Sequence, residues 1–203
     1  MPIDRDRIVD AAIARAAQTS WEAVRLHDVA ADLGIDLNEV RAHFREKEDI
    51  VDAWFDRADR AMLEVAARPE VVVLPARERL ERVMMAWFDA LAPQRRVTRQ
   101  MILNKLEPGH VHYQIGGLLR VSRTVQWMRE AAGRKAVLPW RALEEAALTS
   151  IYLAAFCYWM YDDSPESIRT RDFLRRRLEC AERWARLVPG APGWARREGT
   201  SQT

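Results

Sequence analysis

The sequence predicts an all-α protein, and three observations carry that expectation. Apolar residues recur at three- and four-residue intervals along most of the chain, the spacing of one helix face. Proline and glycine fall where those runs end, as helix boundaries require. Strand-like alternation is nearly absent. Only Val71-Val72-Val73-Leu74 resembles a strand, and Pro69 and Pro75 bracket it, so a linker between helices is expected there.

The first helix is expected from about Asp4 to Gln18, with Ile8, Ala11, Ala12, Arg15 and Ala16 along one face. Thr19-Ser20-Trp21 ends it, and Trp21 is expected to fill the core of the N-terminal unit. A second helix, Leu26 to Leu33, stops at Gly34, which takes the positive φ that a helix C-terminus often needs. Asp36 is placed to cap a third helix, and Glu39 three residues later completes a capping box. This third helix runs into His43-Phe44. Lys47 and Glu48 then open a long fourth helix through Trp54, Phe55 and Met62.

Beyond Pro75 the expected helices lengthen. One carries Leu80, Val83, Met84, Trp87, Phe88 and Leu91 and ends at Pro93, and the next runs from Val97 to Leu106 before Pro108-Gly109. A third spans Ile115 to Met128 and ends at Gly133. Two more follow, Trp140 to Tyr161 and Pro165 to Val188, for about nine helices in all. Three domains are expected: residues 1–50 as a helix-turn-helix unit, 51–190 as a larger helical body, and 191–203 as a flexible tail.

The composition narrows the class. The chain of 203 residues is 49% hydrophobic and 31% charged, enough for a sizeable core and too apolar for a disordered chain. The charged N-terminal residues Asp4, Arg5, Asp6 and Arg7 argue against a signal peptide. No apolar run reaches the roughly 18 residues of a membrane span, so a soluble, cytoplasmic protein is expected. Cys157 and Cys180 are expected as small buried hydrophobes rather than a disulfide.

Residues Met1 to Met62 hold 9 Lys/Arg against 14 Asp/Glu, and the remainder 23 against 16. An acidic N-terminal part is the reverse of what phosphate recognition favours. His110 and His112 alternate beside Pro108-Gly109, without a third ligand at metal spacing. No phosphate loop or nucleophile motif occurs, and Glu144-Glu145 reads as helix surface. No enzyme, metal or cofactor is expected.

Ile8-Val9-Asp10-Ala11-Ala12, Val29-Ala30-Ala31-Asp32-Leu33-Gly34-Ile35, and His43-Phe44 with Lys47-Glu48 together resemble the TetR family of transcriptional regulators. The resemblance covers about the first sixty residues. It implies a helix-turn-helix that lays its second helix in the major groove, a homodimer built by the last two helices, and a body enclosing a small hydrophobic effector that releases DNA. The implied DNA contacts are Arg25, Leu37, Asn38, Arg41, His43 and Lys47. Asn reads adenine and Arg guanine through bidentate contacts.

Several residues depart from the family pattern. Arg25 stands where a small hydroxylated residue is usual, keeping a phosphate contact and losing the cap. Arg41 stands in place of a tyrosine. Asp36 and Glu39 bring carboxylates near the groove face, although Glu39 can accept from a cytosine amino group.

In the body, Trp87, Met101, Tyr113, Trp127, Tyr152, Phe156 and Trp159 are the expected ligand-binding residues. The expected dimer interface comprises Leu148, Tyr152, Leu174, Leu178 and Ala181. The final helix bears Ile168, Leu174, Leu178, Ala181, Trp184 and Val188 as one stripe, with arginines elsewhere.

Ile151-Tyr152, Tyr158-Trp159, Asp162-Asp163-Ser164-Pro165, Thr170 and Phe173-Leu174 followed by Arg175-Arg176-Arg177 also resemble the lipid-binding proteins of coenzyme Q biosynthesis. That second resemblance, over about forty residues, implies the alternative: a protein of the same fold that does not bind DNA and holds isoprenoid lipid at a membrane.

Overall fold

The computed structural model describes residues 4–105, 111–134 and 136–187, with the side chains of all of these except 111–116 and 118. Among the described residues the regular structure is entirely helical. The helices are α1 (Arg5–Gln18), α2 (Leu26–Leu33), α3 (Leu37–His43), α4 (Lys47–Ala66), α5 (Pro69–Val72), α6 (Ala76–Leu91), α7 (Arg95–Lys105), α8 (Val111–Ala131), α9 (Trp140–Trp159) and α10 (Ile168–Leu187). Single 3-10 turns occupy Ala92–Gln94 and Pro165–Ser167. No helix is long and apolar enough to cross a membrane among the described residues. The expected tail, 191–203, lies outside the described residues.

The valine run at 71–73 is not extended: Pro69, at the first helical position, sets its φ for the single turn α5. The chain forms two compact units, Met1–Ala58 with Ala90–Gly117, and Asp59–Asp89 with Leu118–Thr203.

In the first unit, α1 packs on α2 and α7 and α2 packs on α3. The core takes Ile8, Val9, Ala12, Ile13 and Ala16 from α1, then Val29, Val40, Phe44, Ile50 and Trp54, and Val97 and Met101 from α7. Trp21 is fully buried here, as its position after α1 suggests.

In the second unit α9 packs against α10, and Leu80, Met84, Trp87, Phe88, Val125, Met128, Leu148, Tyr152, Trp159, Leu174 and Leu178 fill the core. Asp59 forms a polar node within it. Its carboxylate accepts from Trp87 Nε1 at 2.8 Å, Thr124 Oγ1 at 3.1 Å and Arg120 at 3.0 Å.

Two expectations are corrected in this unit. Glu144 and Glu145 are not plain helix surface. Glu144 pairs with Arg134 at 2.6 Å and Arg129 at 3.8 Å, and Glu145 takes Arg129 at 2.8 Å. The guanidinium groups and Glu144 are nearly buried, which such charges tolerate only in pairs. Cys157 and Cys180 are both exposed free thiols, because the buried stripes of α9 and α10 run through other residues.

The turn joining α9 to α10 is tied by Asp162. Its buried carboxylate accepts from the backbone and hydroxyl groups of both Ser164 (2.9 and 2.5 Å) and Thr170 (2.8 and 2.6 Å). Thr170 N is one of the first N–H groups of α10, which have no intrahelical partner. Burial pushes the carboxyl up, and the hydrogen bonds from Ser164 and Thr170 outweigh it, leaving its pKa at about 2.

Candidate nucleic-acid interface and the helical body

Local chemistry dictates the helix-turn-helix. Gly34 adopts φ 65°, and Gly34 N and Ile35 N donate to Ala31 O (3.1 Å) and Ala30 O (3.0 Å). This is a Schellman closure that a residue bearing Cβ adopts only with strain. Two residues later the capping box forms. The Asp36 carboxylate accepts from Asn38 N at 2.5 Å, and the Glu39 carboxylate from Asp36 N at 3.4 Å. The two acids that seemed ill placed beside phosphate therefore serve the α3 N-terminus, where N–H groups and the helix dipole favour negative charge.

Most other acids of this unit also have internal partners. Asp6 and Asp10 hold Arg57 at 3.0 and 2.5 Å. Asp28 and Asp32 hold Arg15 at 3.6 and 2.8 Å, and Asp52 lies 3.6 Å from Lys105. Asp49 accepts from Arg45 N at 2.7 Å and Glu46 N at 3.2 Å, closing the start of α4.

Arg25, Leu37, Asn38, Arg41 and His43 are all exposed. Arg25 occupies the N-cap position of α2 without a side-chain cap bond. Leu37, in the first turn of α3, is 49% exposed. Among the described residues the guanidinium groups of Arg25 and Arg41 have no acidic partner, and neither does that of the exposed Arg45. Sequence reasoning passed over Arg45; its signal was a basic residue directly after the third helix.

Lys47 departs from the expected phosphate contact. Its ammonium is half-buried and donates to Trp21 O at 2.5 Å and Glu22 O at 3.1 Å, 4.8 Å from the Trp21 ring centre. Burial pulls its pKa down. Both carbonyls belong to the turn before α2, so the amine points into the protein.

The expected ligand residues divide between the units. Trp87, Tyr152, Phe156 and Trp159 come together with Phe88, which the sequence reading did not include among the ligand residues. Trp87 meets Tyr152 and Phe156 edge-on at 5.4 and 5.6 Å, and Phe156 stacks on Trp159 at 5.8 Å. Burial beside Asp59 raises the Tyr152 pKa, so its phenol stays protonated. Met101 is buried in the first unit. Trp127 is 47% exposed on α8 and does not belong to this cluster's core. The Tyr113, His110 and His112 side chains lie outside the described residues, among which no metal-holding group occurs.

The expected dimer residues are corrected most. Leu148, Tyr152, Leu174 and Leu178 are buried within the chain itself, so they cannot present a surface to a second copy; Ala181 is half-buried. The final-helix stripe divides likewise, with Leu174 and Leu178 inside and Ile168 and Trp184 exposed. The exposed side of α9 instead carries Ala147, Ser150, Leu153, Ala154, Cys157 and Tyr158, and no charge occurs from Ala146 to Tyr161. Beside it, Tyr158 stacks on Phe173 of α10 at 5.0 Å, under Arg177.

Comparison with known proteins gives two kinds of likeness. A family model described as COQ9 matches residues 144–185, the α9–α10 hairpin with its Asp162 tie. No curated protein matches the chain. Among solved structures, the chain is similar to a TetR transcriptional regulator from Nitrosomonas europaea at 54% identity. That match covers 89% of this chain and 98% of that one, with a TM-score of 0.80. A TetR transcriptional regulator from Rhodococcus sp. RHA1 matches at 19% identity over 87% of this chain and 94% of that one, TM-score 0.65, a likeness of fold alone.

Proposed function

Because the chain belongs to the TetR family of transcriptional regulators, we propose that it is a cytoplasmic, homodimeric DNA-binding repressor whose helical body responds to a small hydrophobic effector. The observation that carries this reading is the charge arrangement around α2 and α3. Acids outnumber bases in this part of the chain, yet most of them cap helices or hold Arg15, Arg57 and Lys105, while among the described residues Arg25, Arg41 and Arg45 stay exposed without an acidic partner. Phosphates meet those three cations first, and phosphate contacts supply most of the affinity.

In this reading α3 enters the major groove. Asn38 is the candidate reader of adenine, Arg41 of guanine or phosphate, and Leu37 contacts a thymine methyl, with His43 at the far end. Residues 1–50 supply the reading head and 51–190 the body. The uncharged exposed side of α9 supports a second copy as its cover, since an apolar face of that length favours burial. The aromatic cluster beside the Asp59–Arg120–Thr124 node supports an apolar effector with one polar group, the usual make-up of a small-molecule site.

The COQ9 match keeps one rival in view, a lipid carrier at a membrane. The exposed Trp184 and Leu187 beside Arg183 and Arg186 favour it. Against it, much of the matched segment has architectural work. Leu148, Leu174 and Leu178 fill the core, Tyr158 stacks on Phe173, and Asp162 ties Ser164 and Thr170.

Fluorescence anisotropy with the DNA upstream of the protein's own gene, over a salt series, tests the reading. Binding that survives competitor DNA and weakens steeply with salt is expected, together with repression of a reporter driven by that DNA. Absence of binding at low salt, with uptake of isoprenoid quinone into the body, would replace this reading by the rival.

A further inference from the structure

The turn before α2 is held from two distant parts of the first unit. Trp21 N donates to Gln100 Oε1 of α7 at 2.9 Å. Trp21 O accepts from both Val24 N at 3.2 Å and Lys47 Nζ at 2.5 Å, and Glu22 O accepts from Lys47 at 3.1 Å. Ser20 Oγ takes Ala23 N at 3.2 Å. Trp21 and Val24 are buried, so the turn has little freedom. It delivers the chain to Arg25, whose carbonyl opens α2 by accepting from Asp28 N and Val29 N.

Arg25 has neither the side-chain cap bond that would fix it locally nor an acidic partner among the described residues. Its guanidinium can be placed only by the backbone that carries it, and that backbone is placed by Gln100 and Lys47. We infer that Gln100 and Lys47 are positioning residues for DNA recognition. They set the Trp21–Val24 turn, and thereby the phosphate contact of Arg25, without themselves touching DNA. Lys47 directs its ammonium to two backbone carbonyls and an indole face. Gln100 lies on α7, a helix tied within the same first unit by Arg96 donating to Ala17 O and by Trp54 Nε1 donating to Thr98 Oγ1 at 3.0 Å. The state of α7 is thus felt at Arg25 through one side-chain amide. This inference rests on the DNA-binding reading above.

The test is a double-mutant cycle on the intact protein, with a duplex selected by the wild type from a randomised pool. Gln100→Leu removes the acceptor. It should weaken binding about tenfold, the worth of one charge-assisted contact. It should also lower the slope of log K against log salt by about 0.9, one phosphate contact, although no charge has been removed. Gln100→Glu keeps an oxygen acceptor and should restore both values. In an Arg25→Ala background, Gln100→Leu and Lys47→Met should each change affinity less than about twofold and leave the slope alone, because contacts that act through one residue are not additive.

An unchanged slope in Gln100→Leu, or full additivity with Arg25→Ala, would overturn the positioning role. A further fall of about 0.9 in slope for Lys47→Met in that background would make Lys47 a direct phosphate ligand. A wild type that selects no duplex would refute the DNA-binding reading, and this inference with it. A protein that selects a duplex and fails only the cycle refutes the inference alone.

Discussion

Replacing Asp162 with alanine deletes the acceptor of four hydrogen bonds at one turn. The Ser164 donors are half-buried and recover water, so their loss costs little. Thr170 is fully buried, and its N–H and hydroxyl are left without a partner, at about 1–3 kcal/mol each for buried donors. Glu166 and Ser167 sit between the two ends of this tie at φ 50° and 53°, and relaxation of one of them returns about 1 kcal/mol of the loss. The expected net destabilisation is about 3 kcal/mol, or roughly 6–12 °C in Tm for a chain of this size.

The effect should depend on pH in one direction. The carboxyl is held at about 2 against an ordinary 3.8, so its contribution is complete above about pH 4 and is lost as pH falls through 2. Thermal unfolding at fixed protein concentration, for wild type and Asp162→Ala between pH 6 and 2, reads both quantities. A Tm difference under about 2 °C at pH 6, or one that stays constant down to pH 2, would refute the tie.

Glu144→Gln strips the buried Arg129 and Arg134 of a charge partner and should cost about 3–5 kcal/mol; calorimetry showing less than about 1 kcal/mol would mean the cluster is solvated. Ala154→Arg places a charge in the uncharged exposed side of α9. Sedimentation should show a dimer for the wild type and a monomer for the variant, and Cys157 should become open to thiol reagents; an intact variant dimer would move the interface elsewhere. Arg41→Ala should weaken duplex binding and lower the salt slope by about 0.9, and an unaltered slope would remove Arg41 from the phosphate contacts.

Sequence alone settled what depends on neighbours within about one helical turn. The stop at Gly34, the Asp36–Glu39 capping box and the helix starts at Leu26, Leu37 and Lys47 are set by φ preference and by hydrogen bonds between residues no more than five apart. Local sequence places Leu37, Asn38, Arg41 and His43 on this short capped helix, while their role as candidate readers of DNA is what the TetR resemblance implies.

The tertiary structure decided which apolar stripe is inside and which charge meets which. The α9 segment is apolar nearly all round, so its periodicity names no face. Packing within the second unit turns Leu148 and Tyr152 inward, Tyr152 against Trp87 and Phe88 of α6, and leaves Leu153, Ala154 and Cys157 outside. Lys47 reaches a carbonyl 26 positions away, Trp21 an amide 79 away, and Arg129 a glutamate 16 away. Charge partners at such separations leave no spacing in the chain, because only the folded backbone brings them within reach.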